Sequence, residues 1–99
     1  MLAQAGLLTY FGVMPNTDPF AAIADPHRRH LLEVLRRAPT TVNDLAKDLP
    51  ISRPAVSQHL KALLDCNLVT VTPEGTKRIY AVNARGFNAM NLCLDQFWS

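Results

Sequence analysis

The stretch of the chain that decides the fold is residues 52–63, Ser52-Arg53-Pro54-Ala55-Val56-Ser57-Gln58-His59-Leu60-Lys61-Ala62-Leu63. Serine is a good helix cap and proline suits a first helical turn, so a helix is predicted to begin here. At about 100° per residue, Val56, Leu60 and Leu63 fall on one side of this helix. Gln58 and Lys61 fall on the opposite side, so the helix has one apolar and one polar face.

A second helix precedes this one at the spacing of a known motif. Thr41 has the capping signal of a helix start, and Pro50 ends that helix before the next one begins at Ser52. The later helix is predicted to run to about Cys66. Two helices joined by so short a turn form a helix-turn-helix, which we assign to residues 41–64.

The flanking sequence completes the order of elements. Asp-Pro pairs at residues 18–19 and 25–26 predict two helices before the motif. Residues 68–82 are rich in Val, Thr, Ile and Tyr around the turn signal 73–76, Pro-Glu-Gly-Thr, which predicts a β-hairpin. Residues 84–99 predict a final amphipathic helix. The predicted fold class is therefore mainly α with a small β-hairpin, a winged helix-turn-helix in the order α-α-α-α-β-β-α.

These elements form one predicted domain, residues 18–99, after an N-terminal extension of residues 1–17. The 99 residues carry a formal net charge of +2, which permits a nucleic-acid partner without arguing for one. The apolar first residues have no positive n-region and are too short to span a bilayer, so neither a signal peptide nor a membrane anchor is predicted. Two scattered cysteines fit a reducing cytosol, and we expect a cytoplasmic protein.

Several blocks of this sequence resemble the arsenic-repressor (ArsR/SmtB) family over about residues 18–99. The block 52–63 is the most specific, and the other matching residues are Ala24-Asp25-Pro26-His27-Arg28-Arg29, Asp44-Leu45-Ala46, Leu68-Val69 and Arg78-Ile79-Tyr80-Ala81-Val82-Asn83. The resemblance implies a dimeric DNA-binding repressor of its own gene, with base contacts from Ser57 and Gln58. The ending at residues 94–98 is similar to the branch of autorepressors that lack a metal site.

The polar face of the helix that begins at Ser52 fits the major groove of double-stranded DNA. Gln58 can bond adenine at two edge atoms, and Ser57 can donate to or accept from any base edge. Lys61 suits a phosphate, and Arg53 can reach a guanine or a phosphate. The competing interpretation is a solvated helix face, but the complete motif favours DNA. His59, at the edge of the apolar arc, is interpreted as a structural histidine bonded to backbone or to a neighbouring helix rather than as a phosphate contact. The predicted DNA-binding residues are Ser52, Arg53, Pro54, Ser57, Gln58, Lys61, Lys77 and Arg78.

Lys77 and Arg78 stand on the hairpin, just after its turn. A basic wing suits the minor groove or its phosphates. The alternative is that Lys77 and Arg78 only protect the edge of a strand. Beside a helix that reads DNA, phosphate contact is the favoured interpretation.

Large apolar side chains form one stripe on the last helix. On a monomer of this size the stripe would leave an exposed patch, and such patches commonly mark an interface. The alternative is that it packs on its own domain, at least near Phe87. We predict a two-fold homodimer, bound to an operator that is an imperfect palindrome, with an interface formed by Phe87, Met90, Leu94, Phe97 and Trp98.

Other function classes lack their signals in this sequence. The helix at Thr41 has no Cys or His, and His27 and His30 form a pair without a third ligand nearby in the sequence. We predict no metal site and no cofactor. A metal-responsive repressor, a redox repressor that uses Cys66 or Cys93, and a protein-binding winged helix are the alternatives. No Gly-rich phosphate loop or nucleophile elbow is present, so no enzyme is predicted.

Overall fold

The structure, a computed structural model, describes residues 18–98 apart from the side chain of Trp98. The described part contains, in chain order, α1 (Pro19–Ala24), α2 (Pro26–Arg37), α3 (Val42–Lys47), α4 (Arg53–Asp65), β1 (Val69–Glu74), β2 (Lys77–Val82) and α5 (Ala84–Trp98). This is the predicted order, and the winged helix-turn-helix fold class is confirmed. The predicted extension, residues 1–17, lies outside the described residues. Within residues 18–98, none of the helices has the length and apolar character needed to cross a membrane.

The first two helices begin at the predicted Asp-Pro pairs. Asp18 caps α1 and Asp25 caps α2. Asp25 Oδ1 accepts hydrogen bonds from the backbone N–H groups of His27 at 2.8 Å and Arg28 at 3.2 Å. These bonds satisfy amides that the first turn of a helix leaves unpaired. Burial raises the pKa of Asp25, but the two backbone bonds and the nearby His59 and Arg28 outweigh it, so the pKa is lowered and the carboxylate is charged at neutral pH.

The helix α4 ends in a Schellman motif that turns the chain into the hairpin. Asn67 has a φ of 61°, in the left-handed region that Asn tolerates better than most residues. Its N–H donates to the Leu64 carbonyl at 3.0 Å, and the Leu68 N–H donates to the Leu63 carbonyl at 3.0 Å. Leu68 is fully buried, so the motif also fixes the start of the hairpin against the core.

The two strands form an antiparallel hairpin, the wing, with Val69 opposite Val82 and Glu74 opposite Lys77. The sequence placed Pro73 and Glu74 in the turn, but both belong to β1, and the turn is reduced to residues 75–76. A strand with a partner on only one side accommodates proline. Gly75 supplies the positive φ, 64°, that tight two-residue hairpin turns require.

A short bridge ties the wing to the helix-turn-helix. The Thr40 N–H donates to the Tyr80 carbonyl at 3.0 Å, and the Tyr80 N–H donates to the Thr40 carbonyl at 2.8 Å. Thr40 stands directly before Thr41, the N-cap of α3. The bridge therefore holds the wing beside the start of α3.

One core joins the elements and fixes the inner face of α4. Val56, Leu60 and Leu63 are completely buried, on the face that the helical wheel predicted. Residues from the other elements and from their junctions complete this core: Ala22, Leu31, Leu32, Leu35, Leu45, Cys66, Leu68, Val69, Tyr80 and Met90. The orientation of α4 is thus set by packing, and its outer face is left for other contacts.

The start of α5 packs so closely on the turn after α4 that only glycine fits. A Cβ atom at Gly86 would lie 2.7 Å from the Asn67 carbonyl carbon and closer still to its oxygen. We expect Gly86→Ala to lower the free energy of unfolding by about 1–3 kcal/mol, because backbone must shift. The usual helical preference for alanine would act in the opposite direction. Urea unfolding measures the change.

The control for this substitution is Asn88→Ala, at an exposed position of the same helix. We expect it to alter the free energy of unfolding by less than about 1 kcal/mol, the span of ordinary helix propensities. A Gly86→Ala protein that is as stable as this control would show that α5 is not held against Asn67.

Candidate DNA interface

The outer face of α4 is polar and exposed. Ser57, Gln58 and Lys61 are exposed, whereas Val56 on the opposite face is buried. Lys61 Nζ lies 3.6 Å from Asp65 Oδ2 in an exposed i,i+4 pair. Such pairs contribute little to stability, so the lysine can exchange this carboxylate for a phosphate at small cost. The face therefore presents hydrogen-bonding groups flanked by a cation.

The N-terminus of α4 is capped and exposed. Ser52 Oγ accepts from the backbone N–H of Ala55 at 3.3 Å, and Pro54 occupies the first turn. Arg53 Nε donates to Asn43 Oδ1 of α3, which holds the guanidinium between the two helix starts. The first turn of α4 has no acidic residue, so the positive end of the helix dipole is uncompensated and favours an anion.

A cleft of about 430 Å³ lies between the starts of α3 and α4 and the wing. Four cations line it, together with Asp44: Lys47, Arg53, Lys77 and Arg78. Lys47 Nζ donates to Asp44 Oδ1 at 3.3 Å, and this bond, with a second one from Thr40, lowers the pKa of Asp44. The carboxylate is ionised and offsets one cation, which leaves the cleft with a net positive charge.

The structure brings together two groups of predicted residues that are distant in sequence. Lys77 and Arg78 of the wing line the same cleft as Arg53 at the start of α4. Asn43 and Lys47 also line this cleft and were not predicted from the sequence. A signal was available, because these residues stand four apart on α3 and such residues share one helix face.

We expect Lys61→Ala and Arg78→Ala each to weaken binding to all DNA sequences about equally. Each variant should reduce the slope of log affinity against log salt by about one unit, because one phosphate contact and its counterion release are lost. A salt titration of DNA binding measures the slope. Arg37→Ala removes a like charge from α2, outside the predicted contacts, and should leave the slope unchanged. A slope equal to that of wild type would remove the substituted residue from the phosphate contacts.

His59 contacts a neighbouring helix, which is one of the two structural roles that the sequence left open. The half-buried His59 accepts a hydrogen bond at Nδ1 from Arg28 Nε of α2 at 3.3 Å. Arg28 Nη1 also donates to the Ala22 carbonyl of α1 at 3.5 Å. His59 therefore links the inner edge of α4 to the first two helices rather than joining the exposed face.

The buried cysteine is a poor redox switch. Burial raises the pKa of the Cys66 thiol, and the neighbouring Asp65 charge raises it further. The thiolate, which is the reactive form, is suppressed at neutral pH. This environment favours a packing role for Cys66.

The fold divides the apolar stripe that was predicted on α5. Met90 is buried in the core of its own domain, which corrects its prediction as an exposed interface residue, and Phe87 is partly buried against the same core. Leu94 and Phe97 are exposed, by 42% and 80%. The side chain of Trp98 lies outside the described part of the chain.

Known proteins identify the family that shares this architecture. Residues 25–71 match the model of a family described as bacterial regulatory protein, arsR family. The chain is also 49% identical over 78 residues to the HTH-type transcriptional regulator Rv2034 of Mycobacterium tuberculosis. That match covers 79% of this chain and 73% of the relative. The chain belongs to the arsR family.

Other arsR-family proteins are similar in sequence and in structure. The arsenical resistance operon repressor of Staphylococcus xylosus is 33% identical over 73 residues, which cover 74% of this chain and 70% of that protein. The ArsR-like transcriptional regulator from Rhodococcus sp. RHA1 superposes with a TM-score of 0.74 at 32% identity, over 87% of this chain and 82% of that one. As a member of the arsR family, this chain is a DNA-binding transcriptional regulator and not an enzyme.

Proposed function

We propose that this arsR-family regulator is a homodimeric repressor that acts in the cytoplasm on an operator with an imperfect palindrome. The observation that carries the proposal is the position of the cationic cleft next to the polar outer face of α4. A face of hydrogen-bonding side chains suits base edges, and cations beside it suit the phosphates that fix its register. In this arrangement α4 lies in the major groove and the wing contacts the adjacent backbone.

Each predicted DNA-binding residue has a place in this arrangement. Ser57 and Gln58 read base edges from the middle of α4. Ser52 and Pro54 form the exposed N-terminus of α4, which faces the DNA backbone in this arrangement. The predicted phosphate contacts are Lys61, Lys77 and Arg78, and Arg53 reaches a guanine or a phosphate.

The distribution of apolar surface supports a dimer built on the first and last helices. Among the side chains that the structure describes in residues 18–97, the exposed large apolar ones all lie on α1 or α5: Phe20 (37%), Leu92 (66%), Leu94 and Phe97. The two helices pack on each other, and an apolar groove of about 460 Å³ between them is lined in part by Pro19, Phe20 and Ala89. A second copy packed on this groove, Leu94 and Phe97 would remove that part of the surface from water, whereas Leu92 lies on another side of α5. We place the interface on Phe87, Leu94, Phe97 and Trp98, with Phe20 from α1.

A two-fold dimer determines the form of the operator. The same surface patch of both copies meets in such a dimer, so the two α4 helices are related by the two-fold axis. They would enter successive major grooves about 34–36 Å apart, or a multiple of that distance. The two half-sites are then inverted copies of one sequence.

A protein-binding winged helix is the competing function, and the surface of α4 argues against it. Protein interfaces depend on a few large buried anchors, most often aromatic residues or arginine. The middle of the outer face of α4 carries Ser57, Gln58 and Lys61 instead. These groups fit a polar, charged partner such as DNA.

Footprinting tests the proposed repressor on the DNA upstream of its own coding region. We expect a protected palindrome there, and a reporter driven by that DNA should be expressed less when the chain is present. Protection without a fall in expression would contradict the repressor. A lack of protection would contradict autoregulation.

A further inference from the structure

Two of the three histidines in the sequence converge on one carboxylate outside the DNA interface. Asp25 is the N-cap of α2, His27 is in its first turn, and His59 comes from α4. One ligand atom of each side chain lies within 4.8 Å of those of the other two. The rings of His27 and His59 have their centroids 5.6 Å apart at an angle of 50°. All three residues are half-buried.

We propose that Asp25, His27 and His59 form a binding site for a divalent transition-metal ion of the Zn²⁺ type. Imidazole nitrogen and carboxylate oxygen are common ligands of Zn²⁺, and three protein ligands leave the fourth position to water. Zinc holds such ligands at about 2.0–2.2 Å, so tetrahedral neighbours lie about 3.3 Å apart. The ligand atoms lie within 4.8 Å of one another. Rotations of these half-buried side chains would bring them to the spacing that zinc requires without a change of fold.

The surroundings of the three residues are compatible with this site. The Asp25 Oδ1 atom is held by backbone N–H groups, which orients the carboxylate in the way that ligands are oriented in metal sites. Arg28 Nε donates a hydrogen bond to His59 Nδ1, which a metal ion at that nitrogen would replace. Arg28 Nη1 also donates to the Ala22 carbonyl at 3.5 Å, so the guanidinium would keep one protein acceptor if a metal ion replaced its bond to His59.

The fold, not the sequence pattern, creates this pairing. In the sequence His27 pairs with His30, no third ligand stands nearby, and no metal site was predicted. His30 is exposed and is absent from the cluster, whereas His59 reaches His27 across the packed helices α2 and α4. A metal ion bound here would fasten the start of α2 to the helix that carries Ser57 and Gln58. It would also stabilise the folded chain, because the site does not exist in the unfolded state.

Cobalt binding to the full chain, measured without DNA, tests the site separately from the proposed repressor. A Cys93→Ser background removes the half-buried thiol on α5 from consideration. Co²⁺ should bind with saturation at one ion per chain, give the visible absorption of a four-coordinate ion and be displaced by Zn²⁺. Zn²⁺ should raise the unfolding temperature of the same protein.

Two variants test two of the ligands, and a third variant is the control. His27→Asn should weaken Co²⁺ binding by at least about 10–100-fold, the loss that even an indirect partner of a metal ligand produces. Asp25→Asn should weaken it as well while keeping a good helix cap, which guards against a loss caused by misfolding. His30→Asn is the matched control and should bind as wild type. Absence of saturable binding, equal affinity in all variants, or a loss in His30→Asn as large as in His27→Asn would each overturn the proposal.

Discussion

The double variant Leu94→Ala, Phe97→Ala is expected to be a folded monomer that has lost most of its affinity for the operator. Both side chains are exposed on one side of α5 and are absent from the core, so truncation should spare the protomer. In the dimer, binding of one copy holds the second copy close to the other half-site, and a monomer lacks this advantage. The loss of that effective concentration should reduce apparent operator affinity by about 10²–10⁴-fold.

Sedimentation gives the state of association, and a binding isotherm on palindromic DNA gives the affinity. Leu92→Ala is the matched control, because Leu92 is exposed on the same helix but lies about 200° around it from Leu94. The control should remain a dimer with wild-type affinity. A double variant that stays dimeric on the palindrome would show that the interface lies elsewhere.

The substitution Gln58→Ala is expected to lower specific affinity by about 1–3 kcal/mol for each half-site. Gln58 lies in the middle of the exposed face of α4, where its amide can meet the edge of a base such as adenine. Its loss should also blur the preference at one or two base pairs of the half-site. Affinities measured on the operator and on single-base variants report both effects.

The control for this prediction removes the same side chain from another exposed helix. Gln96→Ala on α5 should leave operator affinity and base preference unchanged. If Gln58→Ala keeps the affinity and selectivity of wild type, Gln58 does not read a base. Loss of affinity without loss of selectivity would instead show that Gln58 contacts the DNA backbone.

The helix-turn-helix could be predicted from the sequence because its signals are local. Ser52 and Pro54 mark the start of α4, and the spacing of Val56, Leu60 and Leu63 determines its inner face. Once the inner face is known, the exposed position of the polar residues follows from helix geometry. The fold class depended on these patterns and on the composition of the hairpin.

The features that sequence reasoning missed depend on contacts between distant residues. Nothing near Met90 in the sequence distinguishes a core position from an interface position, and its burial follows from how α5 packs on the domain. The bridge from Tyr80 that positions the wing likewise joins segments far apart in the chain. The end of α3 is a local exception: the helix ends at Lys47, before the predicted stop at Pro50, because the Asp48 N–H donates to the Leu45 carbonyl in a tighter turn.

Selection of bound sequences from a pool of random DNA duplexes tests most directly whether α4 reads DNA in a two-fold dimer. We predict enrichment of two inverted half-sites whose centres are about 34–36 Å, or a multiple of that distance, apart along the helix axis. The same selection with Gln58→Ala should lose one or two of the specified base pairs in both half-sites. A pool that stays random although protein is bound, or that yields one unpaired half-site, would contradict the account.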